Sequence, residues 1–202
     1  MGGGLTPELE AGSKNTWLKK SRSRFGGHFD KYKIERTGGT WSSKYQNTNN
    51  IKHWDIAPDD DYFKELFRVS KEQIIWGGNY FGLPPNRCFL VWRKLTISEG
   101  FSMAMCEYAW CSFNSNAKYF EYAPQNSNRF HPTEKPIALY SWILNLYSKP
   151  NYKILDTHVG SASSLIACEE FGLDYTAYEL DKGYFDLACK RIEEYRKQPR
   201  LF

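Results

Sequence analysis

Between residues 59 and 197 the apolar positions switch repeatedly between short continuous runs and helical spacing, and each switch marks an element. Crowded acids, Asp59 to Asp61, open a helix with apolar residues Tyr62, Phe63, Leu66 and Phe67 that ends near Ser70. Gln73 to Trp76 reads as a buried strand stopped by Gly77-Gly78, with Asn79, Tyr80 and Phe81 at its C-terminal end. Asn79 is either a turn residue or a group facing a ligand. Leu83-Pro84-Pro85 is a rigid connector, Cys88 to Trp92 a strand, and Arg93 to Ser102 a polar link. Cys106 to Ser112 and Lys118 to Tyr122 read as a strand pair around the turn Asn114-Ser115-Asn116. Thr133 is the expected N-cap of a helix that carries Pro136 in its first turn and runs to about Ser148. Ile137, Tyr140, Leu144 and Tyr147 share one face of it. The last helix, Lys182 to Lys197, presents Phe185, Ala188, Cys189, Ile192 and Tyr195 to the core. Strands alternate with helices, which predicts an α/β fold with a largely parallel sheet.

One stretch stands apart. Tyr152 to Leu155 is a strand ending at Asp156, and Gly160 to Ser164 form a turn of small residues. Leu165, Ile166, Cys168 and Phe171 form a helical face, Gly172 stops the helix, and Asp174 to Tyr178 form a strand ending at Glu179. Strand, small-residue loop, helix, and strand ending in an acid make the usual cradle for an adenosine-containing cofactor. Small residues let the backbone approach the ligand, the helix N-terminus offers N–H groups, and the acid can hold ribose hydroxyls. No GxGxxG is present, which disfavours a nicotinamide cofactor.

Residues 1–50 show neither period beyond a short strand near Lys31 to Ile34 and are rich in Gly, Ser, Asn and Thr. They hold nine Lys/Arg against four acids, whereas the remaining 152 residues hold 18 against 19. The chain is therefore read as a basic arm or target-base loop, 1–50, followed by a domain, 51–202. A basic arm on a near-neutral domain points to a polyanion such as double-stranded DNA, with Lys19, Lys20, Arg22 and Arg24 as phosphate contacts. Trp17, Phe25, Phe29, Tyr32 and Trp41 interleave with the charges, either to stack on bases or to pin the arm to the domain.

The five cysteines form no CxxC pair and are read as reduced core residues of a cytoplasmic protein. His28 and His53 lack partners at metal-ligand spacing, so no metal site is expected. No apolar run has transmembrane length, and no signal peptide is recognisable.

HPTEKP (131–136), KILDTHVGSASS (153–164) and YELDKGYFDLACKRI (178–192), with IIWGGNYF, CFLVW and CEYAWCSF, resemble a site-specific DNA methyltransferase of the amino-methylating kind with permuted motif order. The resemblance covers residues 53–197. It implies a Rossmann-like, S-adenosylmethionine-dependent methyltransferase fold and transfer to the exocyclic amino group of adenine, with cytosine the alternative. Asp156, Thr157, Gly160 and Ser161 would then form the methionine-side loop, Glu179 would hold the ribose, and His131, Thr133 and Lys135 would line the methionine end. His158 is read as a loop filler. Ala162 stands where a glycine is common, which is tolerable at negative φ, and Arg93 stands where an aspartate is common.

The family's Asp-Pro-Pro-Tyr type motif is absent; Leu83-Pro84-Pro85-Asn86 lacks both the polar first residue and the aromatic last one. The resemblance therefore implies a chain that begins just after that motif, an incomplete fold lacking N-terminal strands, and no catalytic residue within the chain. Three readings follow. One is a phage or bacterial restriction-modification type methyltransferase, tested by the coding DNA upstream of Met1. Another is a non-catalytic remnant or split subunit that binds S-adenosylmethionine or DNA. The last is a truncated product with an exposed central sheet edge.

Overall fold

A computed structural model describes residues 57–100, 103–124 and 129–199. The basic arm, including Lys19, Lys20, Arg22 and Arg24, lies outside the described residues. Helix α1, Asp60–Val69, starts where Asp59 Oδ1 accepts the Tyr62 N–H at 2.8 Å. Asp60 and Asp61 sit in its first turn and Arg68 in its last, both favourable to the helix dipole. Its aromatic face docks through two ring pairs: Phe67 meets Trp110 edge-on at 5.7 Å, and Phe63 meets Phe81 at 4.9 Å with the rings tilted.

Strands β1 (Ile74–Trp76), β2 (Phe89–Lys94), β3 (Cys106–Cys111) and β4 (Lys118–Tyr122) form one sheet in the order β1-β3-β2-β4. The expected β3–β4 pair does not form. β2 lies between them, antiparallel to β3 (Leu90 opposite Ala109) and parallel to β4 (Leu90 opposite Lys118). The Asn114-Ser115-Asn116 segment is instead a bridge over the start of β2, where Ser115 Oγ lies 3.1 Å from Cys88 Sγ. Spanning two strand spacings takes roughly 10 Å, well within the reach of that link. β2 takes the central place because its inward residues, Leu90 and Trp92, are the most completely buried large ones. The sheet is accordingly not largely parallel: β1 and β2 both run antiparallel to β3. After β1, Gly78 lies so close to Trp110 that a Cβ would fall 2.5 Å from the Trp110 Cβ.

Helix α2, Ile137–Tyr147, covers this sheet. It does not start at Thr133: Pro136 occupies the N-cap position with extended backbone. A residue preceding proline is pushed out of the helical region, so Lys135 cannot extend the helix backward. Both flanks of α2 are buried, not one. Leu139 and Ile143 join Cys88, Leu90, Trp92, Ala109 and Cys111, while Leu144, with Ile137 and Tyr140, joins Ala167, Cys168 and Leu173.

β5 (Lys153–Asp156) and β6 (Asp174–Ala177) form a parallel pair joined by α3 (Ser163–Phe171), and α4 (Lys182–Lys197) follows. α3 ends at left-handed Gly172, with the Leu173 N–H returning to the Cys168 carbonyl. It buries every residue from Ser163 to Cys168, whereas Phe171 is exposed. The core stripe of α4 is Tyr184, Ala188 and Ile192; Phe185 and Cys189, expected inside, face out. Tyr184 wins the inward place by packing edge-on against His131, ring centroids 4.3 Å apart. All five cysteines are free, with Cys88, Cys111 and Cys168 buried and Cys106 and Cys189 exposed. No described helix is long and apolar enough to cross a membrane.

Candidate functional site

The loop between β5 and α3 is built by its own side chains. Asp156 Oδ1 accepts the His158 N–H at 2.9 Å, and Oδ2 accepts the Ser164 hydroxyl. Asp156 thus fixes both ends of the loop. Its carbonyl accepts the Tyr178 N–H, and the Val159 N–H reaches the Tyr178 carbonyl, so the loop runs alongside the end of β6. From the α1 side, Tyr62 OH lies 2.7 Å from Thr157 Oγ1, which also contacts His158 Nδ1 at 3.0 Å. His158 is exposed and rests against the Tyr62 ring.

Glu179 follows β6. Its Oε2 accepts the Gly160 N–H at 2.8 Å and its Oε1 the Asp181 N–H at 3.0 Å. Each oxygen retains a second lone pair for a hydroxyl donor. Gly160 has φ +53°, and a Cβ there would lie 3.1 Å from the His131 ring. The backbone is therefore bare at this point and walled by an imidazole. Ala162 does not have the negative φ expected of it: φ is +62°, a conformation costing roughly 1–2 kcal/mol for an L-residue. It is completely buried, its N–H bonds to the Val159 carbonyl, and its own carbonyl accepts the first bond of α3 from Ile166.

The turn 131–135 closes the loop from outside. His131 Nδ1 accepts the Thr133 N–H at 3.2 Å and contacts Thr133 Oγ1 at 3.1 Å. Burial lowers the His131 pKa to about 4, with the Arg129 and Lys135 charges assisting and the acids Glu179 and Asp181 opposing. A neutral ring that accepts at Nδ1 carries its proton on Nε2. Lys135 turns the other way, toward the four-stranded sheet. Its Nζ lies 3.0 Å from Glu107 Oε2 and 5.3 Å from the centre of the Trp76 ring.

Arg191 on α4 holds these parts together. Its Nη1 donates to the Ser161 carbonyl at 2.7 Å and to Ser163 Oγ at 3.2 Å, and pairs with Glu134 at 3.4 Å. The structure thus brings Asp156, Thr157, Gly160, Ser161, Glu179, His131 and Thr133 around one loop, with Lys135 at the sheet beside it. Asn79 is exposed in the short 3-10 turn Gly78–Tyr80. Arg93 makes an ion pair with Glu121 at 2.8 Å. Arg191, Glu107 and Lys94 were missed from the sequence, although each carried a signal. Arg191 sits one position from Ile192, on the buried side of α4, and Lys94 and Glu107 fall on the inward phase of β2 and β3 beside Trp92 and Ala109.

A family described as DNA methylase (N6_N4_Mtase) matches residues 14–190, and the chain belongs to that family. Among curated proteins it is 33% identical over 67 residues to the "Putative methylase YubD" of Escherichia coli, covering 33% of this chain and 30% of that protein. It is 29% identical over 75 residues to the "Type II methyltransferase M.HinfI" of Haemophilus influenzae, covering 37% of this chain and 21% of that protein. The matched region is thus under a third of either relative's length. Among solved structures, the M1.HpyAVI–SAM complex aligns with a TM-score of 0.47 at 20% identity, covering 65% of this chain and 68% of that one. The cytosine-N4-specific PvuII DNA methyltransferase aligns with a TM-score of 0.42 at 11% identity, covering 56% and 51%.

Proposed function

We propose that this chain holds S-adenosylmethionine for methyl transfer to an exocyclic amino nitrogen of a base in double-stranded DNA, adenine in preference to cytosine. The observation that carries the reading is the joint at Gly160, in a chain that belongs to the DNA methylase family. Its N–H is bound by Glu179 and its Cα side is walled by His131, so the β5–α3 loop, the acid after β6 and the turn 131–135 meet at this one residue. The donor fits this arrangement: Glu179 keeps acceptor capacity for two ribose hydroxyls, and the start of α3 presents main-chain N–H groups. S-adenosylmethionine, when bound, supplies a methyl group activated by its sulfonium.

In this reading Asp156, Thr157, Gly160 and Ser161 surround the methionine side, while His131 and Thr133 line its end, with Lys135 at the sheet beside them. Neutral His131 adds no positive charge next to a sulfonium. The target amine, conjugated to its ring, is a poor nucleophile. Acceptors must take its hydrogens so that the lone pair faces the methyl group, and the flipped base needs an aromatic surface. Orientation then supplies much of the rate. The family's Asp-Pro-Pro-Tyr type acceptor does not occur in the 202 residues. We therefore expect the chain alone to bind the donor without turnover, with Lys19, Lys20, Arg22 and Arg24 of the 1–50 arm on phosphates. Five unpaired thiols suit a reducing cytoplasm. The type II names of its relatives suit a restriction-modification setting.

Calorimetry with S-adenosylmethionine and label transfer to duplex DNA test the reading together. Donor binding without transfer is expected; absence of heat at millimolar donor would sink it. The missing motif also favours a second reading, a split subunit, in which transfer appears once a chain bearing the motif is added.

A further inference from the structure

One peptide plane in the β5–α3 loop is held at both ends. The Ser161 carbonyl accepts from Arg191 Nη1 at 2.7 Å, and the N–H on the same plane, that of Ala162, donates to the Val159 carbonyl at 3.0 Å. This plane ends at a strained joint. Ala162 has φ +62°, in the left-handed region that penalises an L-residue, and Gly160 two positions earlier has φ +53°. Gly160 and Ser161 are the middle residues of the turn that the Ala162–Val159 bond closes. Backbone strain of this kind persists only where the surroundings impose it.

Helix α3 does not impose it. The first bond of that helix, from the Ile166 N–H to the Ala162 carbonyl, belongs to the next peptide plane. Rotating the 161–162 plane by half a turn would leave the helix intact and carry Ala162 to negative φ, which is open to every L-residue. The same rotation would break the Ala162–Val159 bond and open the turn around Gly160. Outside the loop it would cost the bond from Arg191, 30 residues away on α4. Buried partners aim that guanidinium. Its Nη1 also donates to Ser163 Oγ at 3.2 Å and lies 3.4 Å from Glu134 Oε1, and the Phe130 ring faces its central carbon at 5.8 Å. The Glu134 side chain is only 6% exposed, and its Oε2 is buried with no hydrogen-bond partner among the described residues. A carboxylate so poorly compensated for its desolvation adds little net stability, but its charge fixes where the guanidinium sits.

Resting on the donor reading above, we propose that Arg191 is a positioning residue for donor binding: it holds the Ser161–Ala162 peptide in its strained orientation, which shapes the turn at Gly160, and Glu134 aims it. The loop is thereby set before the donor arrives, which removes an ordering cost from binding. Without the guanidinium the plane relaxes, and the donor meets a competent loop only in the fraction of molecules that keep the kink.

Calorimetry with S-adenosylmethionine compares the full-length chain with Ala162→Gly, with Arg191→Met/Glu134→Gln, and with the triple variant that combines them. Glu134→Gln accompanies Arg191→Met so that no buried charge is stranded. The double variant should bind about tenfold or more weakly, matching the penalty on a left-handed alanine. Glycine takes either sign of φ at similar cost, so the triple variant should return to within about threefold of wild type. Ala162→Gly alone should shift affinity by under about twofold. Urea melts establish that each variant is folded at the titration temperature, so a gain on adding glycine reads the loop and not the fold. If the double variant does not melt cooperatively, Arg191→Lys replaces it, keeping a cation opposite Glu134 but not the fixed N–H directions of a guanidinium. Wild-type affinity in the double variant, or a triple variant as weak as the double, overturns the positioning role. Wild-type chain that gives no heat at millimolar S-adenosylmethionine overturns the donor reading itself and this inference with it.

Discussion

The main-chain N–H of Gly160 donates to Oε2 of Glu179 across 2.8 Å, which ties the loop after β5 to the residue just beyond β6. Gly160→Ala should disturb this joint twice over. The added Cβ meets the His131 ring at 3.1 Å, and φ of +53° is unfavourable for alanine. Urea titration should show a loss of about 1–3 kcal/mol, and calorimetry a donor affinity weakened by about tenfold or more. Wild-type donor affinity in this variant would remove Gly160 from the site.

His131 gives the fold a defined acid sensitivity. Its folded pKa, about 4, lies below the ordinary 6.5, so the unfolded chain takes up the proton first as pH falls. The associated stability is complete above pH 6.5 and declines as pH drops toward 4, by about 2–3 kcal/mol across that window. Urea midpoints at pH 7, 6, 5 and 4 should show this slope in wild type and a flatter one in His131→Gln.

Arg191→Met should be among the most damaging single changes. It removes the donors to the Ser161 carbonyl and Ser163 hydroxyl and strands a buried Glu134. Breaking one side of a buried pair costs about 3 kcal/mol or more. Adding Glu134→Gln should restore about 1–2 kcal/mol by removing the stranded charge. Thermal melts of the single and double variants measure both effects.

Replacing Lys19, Lys20, Arg22 and Arg24 together with glutamine should lower the slope of log affinity for duplex DNA against log salt by about 3–4. Fluorescence anisotropy at several salt concentrations reads the slope. An unchanged slope would place the phosphate contacts elsewhere.

The order of elements from Asp60 to Lys197 was legible because each strand and helix carries its own period, and several carry their own stop, such as Gly77 or Gly172. The strand-loop-helix-strand unit around Gly160 was legible for the same reason, since its small residues and terminal acid are contiguous. What sequence did not show was partnership across long separations. Nothing local tells β4 to pair with β2 instead of β3, and nothing local places Arg191 on a carbonyl 30 residues earlier. The α4 face went to Tyr184 over Phe185 because a distant histidine supplied the packing partner. Ala162 was misjudged because a left-handed alanine is a strained choice; its burial and the bond it gives to Val159 hold it in place.

Helix α2 is a party wall. Leu139 and Ile143 face the four-stranded sheet, and Leu144 faces α3 and the β5–β6 pair. The helix thus joins the core of one sheet to the core of the other, and heat should melt both in a single transition. A shortened chain starting after Tyr147 would leave Ala167, Cys168 and Leu173 open to water, so the Gly160 loop carried away from the sheet loses one of the two apolar clusters that support it.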